Sequence, residues 1–167
     1  MPPCELYLVR HAIAADRGED WPDDDKRPLT ERGTARFKEG VAGLKWLGVA
    51  FDEIYTSPLV RARQTAALLS AGIAGAPPVK VLEALAPGHE PREVMTQLAR
   101  AAKRRRIALV GHEPALGELA AHLLRSARPP TFRKGGACQI DVEGLTARQP
   151  GSLIWFATPK MLRGLGK

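Results

Sequence analysis

The chain has 167 residues, of which 44 % are hydrophobic and 26 % charged, a balance typical of one globular domain over residues 1–167. This balance excludes a wholly disordered chain, and no apolar stretch approaches the roughly 18 residues of a membrane span. The 25 basic and 18 acidic side chains give a net charge of +7. Such a charge favours contact with phosphate groups, nucleic acid or acidic proteins, or serves solubility alone.

Short apolar runs alternate with segments of helical periodicity along most of the sequence. The apolar runs predict strands at residues 5–9, 51–56, 79–82, 107–110, 137–142 and 153–157. The periodic segments predict helices that begin near residues 31, 58, 91 and 115 and end near residues 47, 71, 102 and 125. This alternation indicates an α/β fold, a three-layer α/β/α sandwich with a mainly parallel sheet.

Two of the predicted helices carry clear start signals. Thr30 precedes the first helix as its N-cap, and Gly48 ends that helix. Ser57 and Pro58 predict the start of the second helix, with Ser57 as the N-cap and Pro58 at the first helical position. Residues 10–25, which come before the first helix, read as an acidic loop.

Arginine and histidine side chains follow three of the predicted strands. Arg10 and His11 end the first strand, Arg61 lies in the first helical turn after the second, and His112 follows the fourth. In open α/β sheets, ligands bind beyond the carboxyl ends of the strands. Because neighbouring strands are about 4.8 Å apart, these four side chains can surround one small ligand if their strands are parallel neighbours.

Two arginines and two histidines suit a phosphoryl group. Arginine offers a planar fork of donors to phosphate oxygens, and a neutral ring nitrogen of His11 can attack phosphorus. Arg10, Arg61 and a protonated His112 would stabilise the charge on the transferring group. No carboxylate belongs to this set, so we expect neither a divalent cation nor any other cofactor to be required.

These residues match the motifs of a known family. The segments that carry the resemblance are Leu8-Val9-Arg10-His11-Ala12, Ser57-Pro58-Leu59-Val60-Arg61-Ala62-Arg63-Gln64-Thr65-Ala66 and Val110-Gly111-His112-Glu113-Pro114. They resemble the three signature blocks of the histidine phosphatase superfamily, which has the phosphoglycerate-mutase-like fold. The short chain, the segment 27–33 and the ending at 153–160 resemble the SixA branch of small bacterial phosphohistidine phosphatases.

The resemblance implies a role for each matched residue. His11 is the nucleophile that becomes phosphorylated, and Arg10, Arg61 and His112 bind the phosphate. Arg27 is a further candidate phosphate contact. One position departs from the family pattern, because the superfamily usually has glycine where this chain has Ala12. That methyl group matters only if the backbone there requires a positive φ.

A general acid is not evident in the sequence. Larger relatives carry one in an insertion between the second and third blocks, but only about fifty residues separate Arg61 from His112 here. Glu83 and His89 fall in that interval and are candidate acids, although exposed loop positions are the favoured interpretation. An alkoxide leaving group gains a factor of about 10²–10⁴ from an acid, whereas a protonated imidazole needs much less help.

The sequence therefore predicts a metal-independent phosphatase that dephosphorylates phosphohistidine in a protein, such as a histidine-containing phosphotransfer domain. A small-molecule phosphomonoesterase and a non-catalytic phosphate-binding module are the alternatives. Basic residues are not interleaved with aromatic ones, so we expect no nucleic-acid partner, and we expect no membrane partner. The N-terminus lacks the pattern of a signal peptide, which favours the cytoplasm, and we expect a monomer.

Overall fold

The computed structural model of the protein describes residues 3–146 and 148–167. Within these residues, six strands form one sheet that is flanked by five α-helices. The strands are β1 (Cys4–Arg10), β2 (Glu53–Thr56), β3 (Val79–Val81), β4 (Arg106–Gly111), β5 (Ala137–Val142) and β6 (Ser152–Ala157). The helices are α1 (Glu31–Trp46), α2 (Val60–Gly72), α3 (Pro91–Ala101), α4 (Ala115–Leu124) and α5 (Pro159–Leu165).

The strand order is β3-β2-β4-β1-β5-β6. The first four strands in this order are parallel, and β5 and β6 are antiparallel to their neighbours. This arrangement confirms the mainly parallel sheet. Strands β1 and β4 are direct neighbours, with Arg10 opposite Gly111, and Thr56 of β2 lies opposite Val110 of β4. The carboxyl ends of β2, β4 and β1 therefore lie side by side at one edge of the sheet.

The core lies in two layers, one on each face of the sheet. Leu6 and Leu8 of β1 pack into the layer under α3 and α4, whereas Tyr7 and Val9 pack into the layer under α1, α2 and α5. All four side chains are buried, as expected for a central strand that is covered on both faces. The three-layer sandwich predicted from the sequence is confirmed. The central strand β1 is buried on both faces, and its register is set by pairing with β4 and β5.

Helix α1 is anchored close to the loop that follows β1. The Gly33 N–H donates a hydrogen bond to Thr30 Oγ1 at 2.8 Å, which confirms Thr30 as the N-cap. A Cβ atom at Gly33 would lie 2.1 Å from the Ile13 carbonyl oxygen, so only glycine permits this approach. Gly48 follows the helix with φ +74°, consistent with its predicted role as the stop signal.

The predicted start of the second helix is wrong by two residues. Ser57 is not its N-cap: the Ser57 N–H donates to the Val110 carbonyl at 3.0 Å, so Ser57 remains part of the sheet edge. The Ser57 hydroxyl accepts a hydrogen bond from the Leu59 N–H at 3.2 Å, and α2 begins at Val60. The sequence also did not predict α5, which forms at Pro159 behind an N-cap from Thr158.

Among the described residues, no helix combines the length and apolar character that crossing a bilayer requires.

Candidate active site

The candidate site is built on the carboxyl ends of β1, β4 and β2. The backbone N–H of His11 donates to the Gly111 carbonyl at 3.0 Å, and this bond joins the ends of β1 and β4. The carbonyls of Arg10 and His11 both accept from the Gly135 N–H, at 3.1 and 3.0 Å. Gly135 has φ +85°, a conformation that favours glycine. The segment that carries the predicted nucleophile is thus held by backbone bonds on two sides.

The two histidines predicted to share a site lie next to each other. The ring centroids of His11 and His112 are 5.1 Å apart, and their planes are inclined at 54°. Each residue is 5 % exposed. The two imidazoles therefore lie side by side at the sheet edge and are almost fully buried.

The hydrogen bond of His11 determines which ring nitrogen can react. His11 Nδ1 lies 2.7 Å from the Ala12 carbonyl oxygen, and a carbonyl oxygen only accepts, so Nδ1 carries the proton. The lone pair of the neutral ring is then on Nε2. That atom has no hydrogen-bond partner among the described residues and does not belong to the fully buried unpartnered atoms. Nε2 is accordingly the nitrogen available for attack.

His112 is oriented by Ser57, a site residue whose position before Pro58 predicted only helix capping. His112 Nε2 lies 2.8 Å from Ser57 Oγ. Because Ser57 Oγ already accepts from the Leu59 N–H, its own proton can point at His112 Nε2. In that arrangement the neutral imidazole carries its proton on Nδ1, which is buried without a partner and can donate to an anion.

Hydrogen bonds from the terminal Nη atoms hold the guanidinium groups of Arg10 and Arg61. Arg10 Nη1 donates to the Phe132 carbonyl at 2.7 Å. Arg61 Nη1 donates to the Asp24 carbonyl at 2.8 Å, and its Nη2 donates to Asp24 Oδ2 at 3.0 Å. The Nε atom of each arginine is buried and has no partner. Each guanidinium is therefore fixed at its tip and offers its Nε–H to a ligand.

Asp24 connects Arg61 and Arg27, two of the candidate phosphate-binding residues, although no carboxylate was expected beside the four residues. Its Oδ1 accepts from Arg27 Nε at 2.8 Å and lies 3.2 Å from Arg17 Nε, while its Oδ2 is bound to Arg61. Partial burial raises the pKa of Asp24, but the hydrogen bonds and charges of Arg27 and Arg61 outweigh it and hold that pKa below its usual range. Asp24 is an anionic tether at neutral pH, and its place in the acidic loop gives no sequence signal that sets it apart from Asp23 or Asp25.

Unpartnered polar atoms concentrate at this site. Among the described residues, four buried side-chain nitrogen or oxygen atoms have no hydrogen-bond partner, and three of them are Arg10 Nε, Arg61 Nε and His112 Nδ1. A buried donor without a partner costs about 1–3 kcal/mol. Such a cost is expected where a ligand supplies the missing acceptors, and three donors around one opening fit a tetrahedral oxyanion.

The ionisation of both histidines follows from their surroundings. Burial, with the charges of Arg61 and Arg10, lowers the pKa of His11 to about 4 against the opposing effect of the Ala12 carbonyl. Burial, with His11 and Arg61, lowers the pKa of His112 to about 3. Both rings are neutral at pH 7. The expectation of a protonated His112 therefore does not hold for the protein alone, because burial disfavours the charged ring and Asp24 offsets only part of the opposing charges.

The position after His11 is compatible with alanine. Among the described residues, positive φ values outside glycine occur only at Ala76 and Arg125, so Ala12 has no strained backbone. Its N–H donates to Thr65 Oγ1 at 3.0 Å, and Thr65 in turn donates to the Arg61 carbonyl at 2.7 Å. The threonine of the second sequence block thus connects helix α2 to the segment that follows the nucleophile.

The remaining predicted site residues differ in their placement. Arg27 is buried and lies beside Arg61 through their shared carboxylate on Asp24, and its Nη1 donates to a backbone carbonyl at 2.6 Å. Glu83 is exposed and begins the short turn after β3. His89 pairs with Glu93 at 2.6 Å at the start of α3. Roles for Glu83 and His89 as acids stay predictions.

Glu113, which follows His112, is a further carboxylate near the arginines. Its Oε1 accepts from the Gly117 N–H at 2.8 Å, and burial raises its pKa against the bonds to Gly117 and the charge of Arg10. Glu113 is therefore bonded to the first turn of α4, and it lies close enough to Arg10 for the two charges to attract each other. Within the described residues, no group of three or more His, Cys, Asp or Glu side chains is arranged to hold a metal ion.

Comparison with known proteins agrees with this geometry. Residues 6–87 match the family model of the histidine phosphatase superfamily, branch 1. An uncharacterised protein of Picosynechococcus sp. is 47 % identical over 118 residues, which cover 70 % of each chain. A structure of the protein histidine phosphatase SixA, complexed with tungstate, has a TM-score of 0.81 at 24 % identity and covers 95 % of this chain and 99 % of its own.

The same fold also occurs in phosphatases that act on small molecules. A phosphoserine phosphatase mutant of Entamoeba histolytica, in complex with phosphoserine, has a TM-score of 0.66 at 18 % identity and covers 95 % of this chain and 98 % of its own. By its sequence the chain belongs to the histidine phosphatase superfamily, and it is a phosphatase with a SixA-type fold.

Proposed function

We propose that this phosphatase hydrolyses phosphohistidine in a protein, such as a histidine-containing phosphotransfer domain, with His11 as the nucleophile. His11 Nε2 attacks phosphorus, the bond from phosphorus to the substrate imidazole breaks, and the phosphoryl group is held on His11. Water then attacks the same phosphorus, and the products are inorganic phosphate and the free neutral His11. Arg10, Arg61 and His112 donate to the equatorial oxygens and stabilise their charge in both steps.

The observation that carries the proposal is the set of unpartnered donors beside a free nucleophilic nitrogen. Arg10 Nε, Arg61 Nε and His112 Nδ1 are buried and unpaired, and the bond to the Ala12 carbonyl leaves the lone pair of His11 on Nε2. A neutral, oriented imidazole is the state that a nucleophile needs. A binding module would need the donors but would gain nothing from that nitrogen.

The leaving group decides between protein phosphohistidine and ordinary phosphate esters. Asp24 touches Arg61 but is held as a carboxylate by its arginine partners, so it has no proton to give to an alkoxide. An alkoxide without an acid loses about 10²–10⁴ in rate. A protonated phosphohistidine ring leaves as neutral imidazole and does not need that proton. The ionised state of Asp24 therefore favours phosphohistidine over sugar or serine phosphates.

The first test concerns the chemistry and uses a generic aryl phosphate in the presence of a chelator. We expect chelator-resistant hydrolysis by the wild type and a loss of at least about 10³-fold in His11→Ala, as for removal of a nucleophile. His122→Ala is the matched control, because His122 lies on α4 and is half-buried away from the site. Full activity of His11→Ala, or abolition of wild-type activity by the chelator, would contradict the proposal.

The second test concerns the substrate. Turnover of a phosphohistidine peptide is compared with that of phosphoserine and phosphoglycerate under the same conditions. We expect kcat/KM for the phosphohistidine peptide to exceed the others by about 10²-fold or more, the contribution of a missing acid. Comparable values for all three substrates would favour the small-molecule phosphomonoesterase and exclude the specificity proposed here.

A further inference from the structure

A basic groove lies next to the candidate active site, and Ala12, the residue after the predicted nucleophile, is part of its lining. It is a cavity of about 440 Å³ between α1, the loop before β5 and the start of α5. Ala12 and Ile13 line it, and Phe37 and Pro159 contribute apolar surface. The groove is therefore bordered by the chain segment that directly follows His11.

The charges of this groove have one sign. Its lining includes five cationic side chains, and no Asp or Glu is among the lining residues; the cations are Arg36, Arg133, Lys134, Lys160 and Arg163. Within residues 3–146 and 148–167, none of these five forms a salt bridge. Elsewhere in the structure, Arg27, Arg61 and Arg106 are paired with carboxylates. Like charges concentrated in one cleft raise the local concentration of anions.

The position of the groove ties it to substrates of this site. Lys134 is close enough to His11 for its charge to lower the pKa of that imidazole. Arg133, Lys134 and Lys160 are exposed, whereas hydrogen bonds hold the guanidinium groups of Arg10 and Arg61. Exposed cations on separate elements suit several separate carboxylates, while the fixed forks suit one phosphoryl group. The cleft is also larger than a single phosphate needs.

We propose that this groove binds an acidic segment of the phosphoprotein substrate, a stretch of Asp or Glu side chains next to the phosphorylated histidine. The identity of the substrate in this inference rests on the proposed function. The attraction between the cationic groove and an acidic peptide does not depend on it. Rim charges of this kind act mainly on encounter and specificity. The groove would therefore determine which phosphohistidine proteins reach the four catalytic candidates.

The binding test does not depend on catalysis. A labelled, unphosphorylated peptide rich in glutamate is titrated against the full chain, and its glutamine counterpart is the neutral reference. We expect Lys160→Glu/Arg163→Glu to weaken binding of the acidic peptide about 10-fold or more, as expected for two reversed rim charges. Arg92→Glu/Arg100→Glu is the matched control, because these exposed arginines lie on α3 across the sheet.

A second variant protects the test against misfolding. Arg133→Glu changes an exposed loop residue of the same groove and is expected to weaken binding of the acidic peptide several-fold. Its circular dichroism spectrum should be the same as that of the wild type. Binding of the acidic peptide should fall as salt is raised from about 0.05 to 0.5 M, as for solvent-exposed charges. Equal binding of the two peptides to the wild type, or equal losses in the groove and α3 variants, would overturn the inference.

The kinetic test separates this inference from the proposed function. Phosphohistidine peptides with glutamate or glutamine flanks are compared within each protein, so that any general loss of activity cancels. The wild type should prefer the acidic peptide about 10-fold, and Lys160→Glu/Arg163→Glu should abolish that preference. Equal turnover of both peptides by the wild type would overturn the groove inference alone. Turnover of neither peptide, with the acidic binding intact, would overturn the proposed function alone.

Discussion

Asp24→Asn tests whether the tether on Arg61 is needed for catalysis. The substitution keeps the shape of the side chain and removes the charge that contacts Arg61 and Arg27 at 3.0 and 2.8 Å. Asn has one side-chain oxygen instead of two, so Arg61 Nη2 or Arg27 Nε loses its acceptor on residue 24. Arg61 is 3 % exposed and cannot turn to water, so without the carboxylate its orientation depends on the single bond from Nη1 to the backbone carbonyl of residue 24.

The expected magnitudes follow from exposure. A hydrogen bond to a charged group is worth about 1.5–3 kcal/mol when buried, but the Asp24 side chain is 41 % exposed. Solvent screening reduces the value, and the pair with the highly exposed Arg17 contributes little. We expect a loss of about 1–2 kcal/mol of stability, or a Tm lower by about 3–6 °C. Displacement of Arg61 from the phosphoryl group should reduce kcat/KM about 10-fold.

Asp23→Asn is the matched control for this experiment. Asp23 lies beside Asp24 and carries the same charge, but it caps the Asp25 N–H and pairs with the exposed Lys26. Aryl phosphate hydrolysis and inhibition by inorganic phosphate are measured for both variants. Weaker phosphate inhibition in Asp24→Asn alone is the mark of a displaced Arg61. Equal kinetics for both variants would refute the tether, and higher activity of Asp24→Asn would show that the carboxylate competes with phosphate.

Three further predictions concern the histidines and their support. The C2 proton resonance of His11 should not titrate between pH 8 and about 5, because its pKa is about 4. Below about pH 6.5 the folded protein binds fewer protons than the unfolded chain, so the free energy of unfolding should fall as the pH is lowered. Ser57→Ala removes the partner of His112 Nε2 and should lower kcat/KM on aryl phosphate about 10-fold. Gly33→Ala forces a Cβ against the Ile13 carbonyl and should lower the Tm by about 4–8 °C.

Each of these predictions has a control within the chain. Assignment of the His11 resonance comes from its loss in His11→Ala, and titration near pH 6.5 would contradict the burial argument. Ser70→Ala removes a hydroxyl from α2 that bonds the Pro77 carbonyl, and activity should be unchanged. Gly164→Ala adds a Cβ in open space and should not lower the Tm. If Ser70→Ala lowers activity as much as Ser57→Ala, the role assigned to Ser57 is refuted. If Gly164→Ala lowers the Tm as much as Gly33→Ala, the role assigned to Gly33 is refuted.

The four central site residues were predictable because each stands at the end of a strand. Strand ends are visible in the sequence as apolar runs that stop, and parallel neighbours bring those ends together. Arg10, His11 and His112 follow such runs directly, and Arg61 follows one by a single helical turn. The strand order itself was not readable, because periodicity shows that a segment is buried but not which segments pair.

Asp24 and Ser57 were missed for different reasons. Asp24 is one of several acidic residues in a loop without periodicity, and only the packing of its turn on α2 selects it over Asp23 or Asp25. Ser57 has a hydroxyl that suits an N-cap as well as a partner for His112, and the signal before Pro58 is the same in both cases. Tertiary contact, in both instances, decides between roles that are locally equivalent.

The arrangement of charges resolves a conflict inherent in this chemistry. A phosphoryl site must be cationic, whereas a histidine nucleophile must be neutral, and a single protonated imidazole could not serve both needs. Here the positive charge is assigned to Arg10 and Arg61, which stay ionised at any working pH. Burial lowers the pKa of His11 most, and the charges of Arg61 and Arg10 lower it further. The two guanidinium groups that attract the anion therefore act in the same direction as burial and help to keep the attacking nitrogen unprotonated.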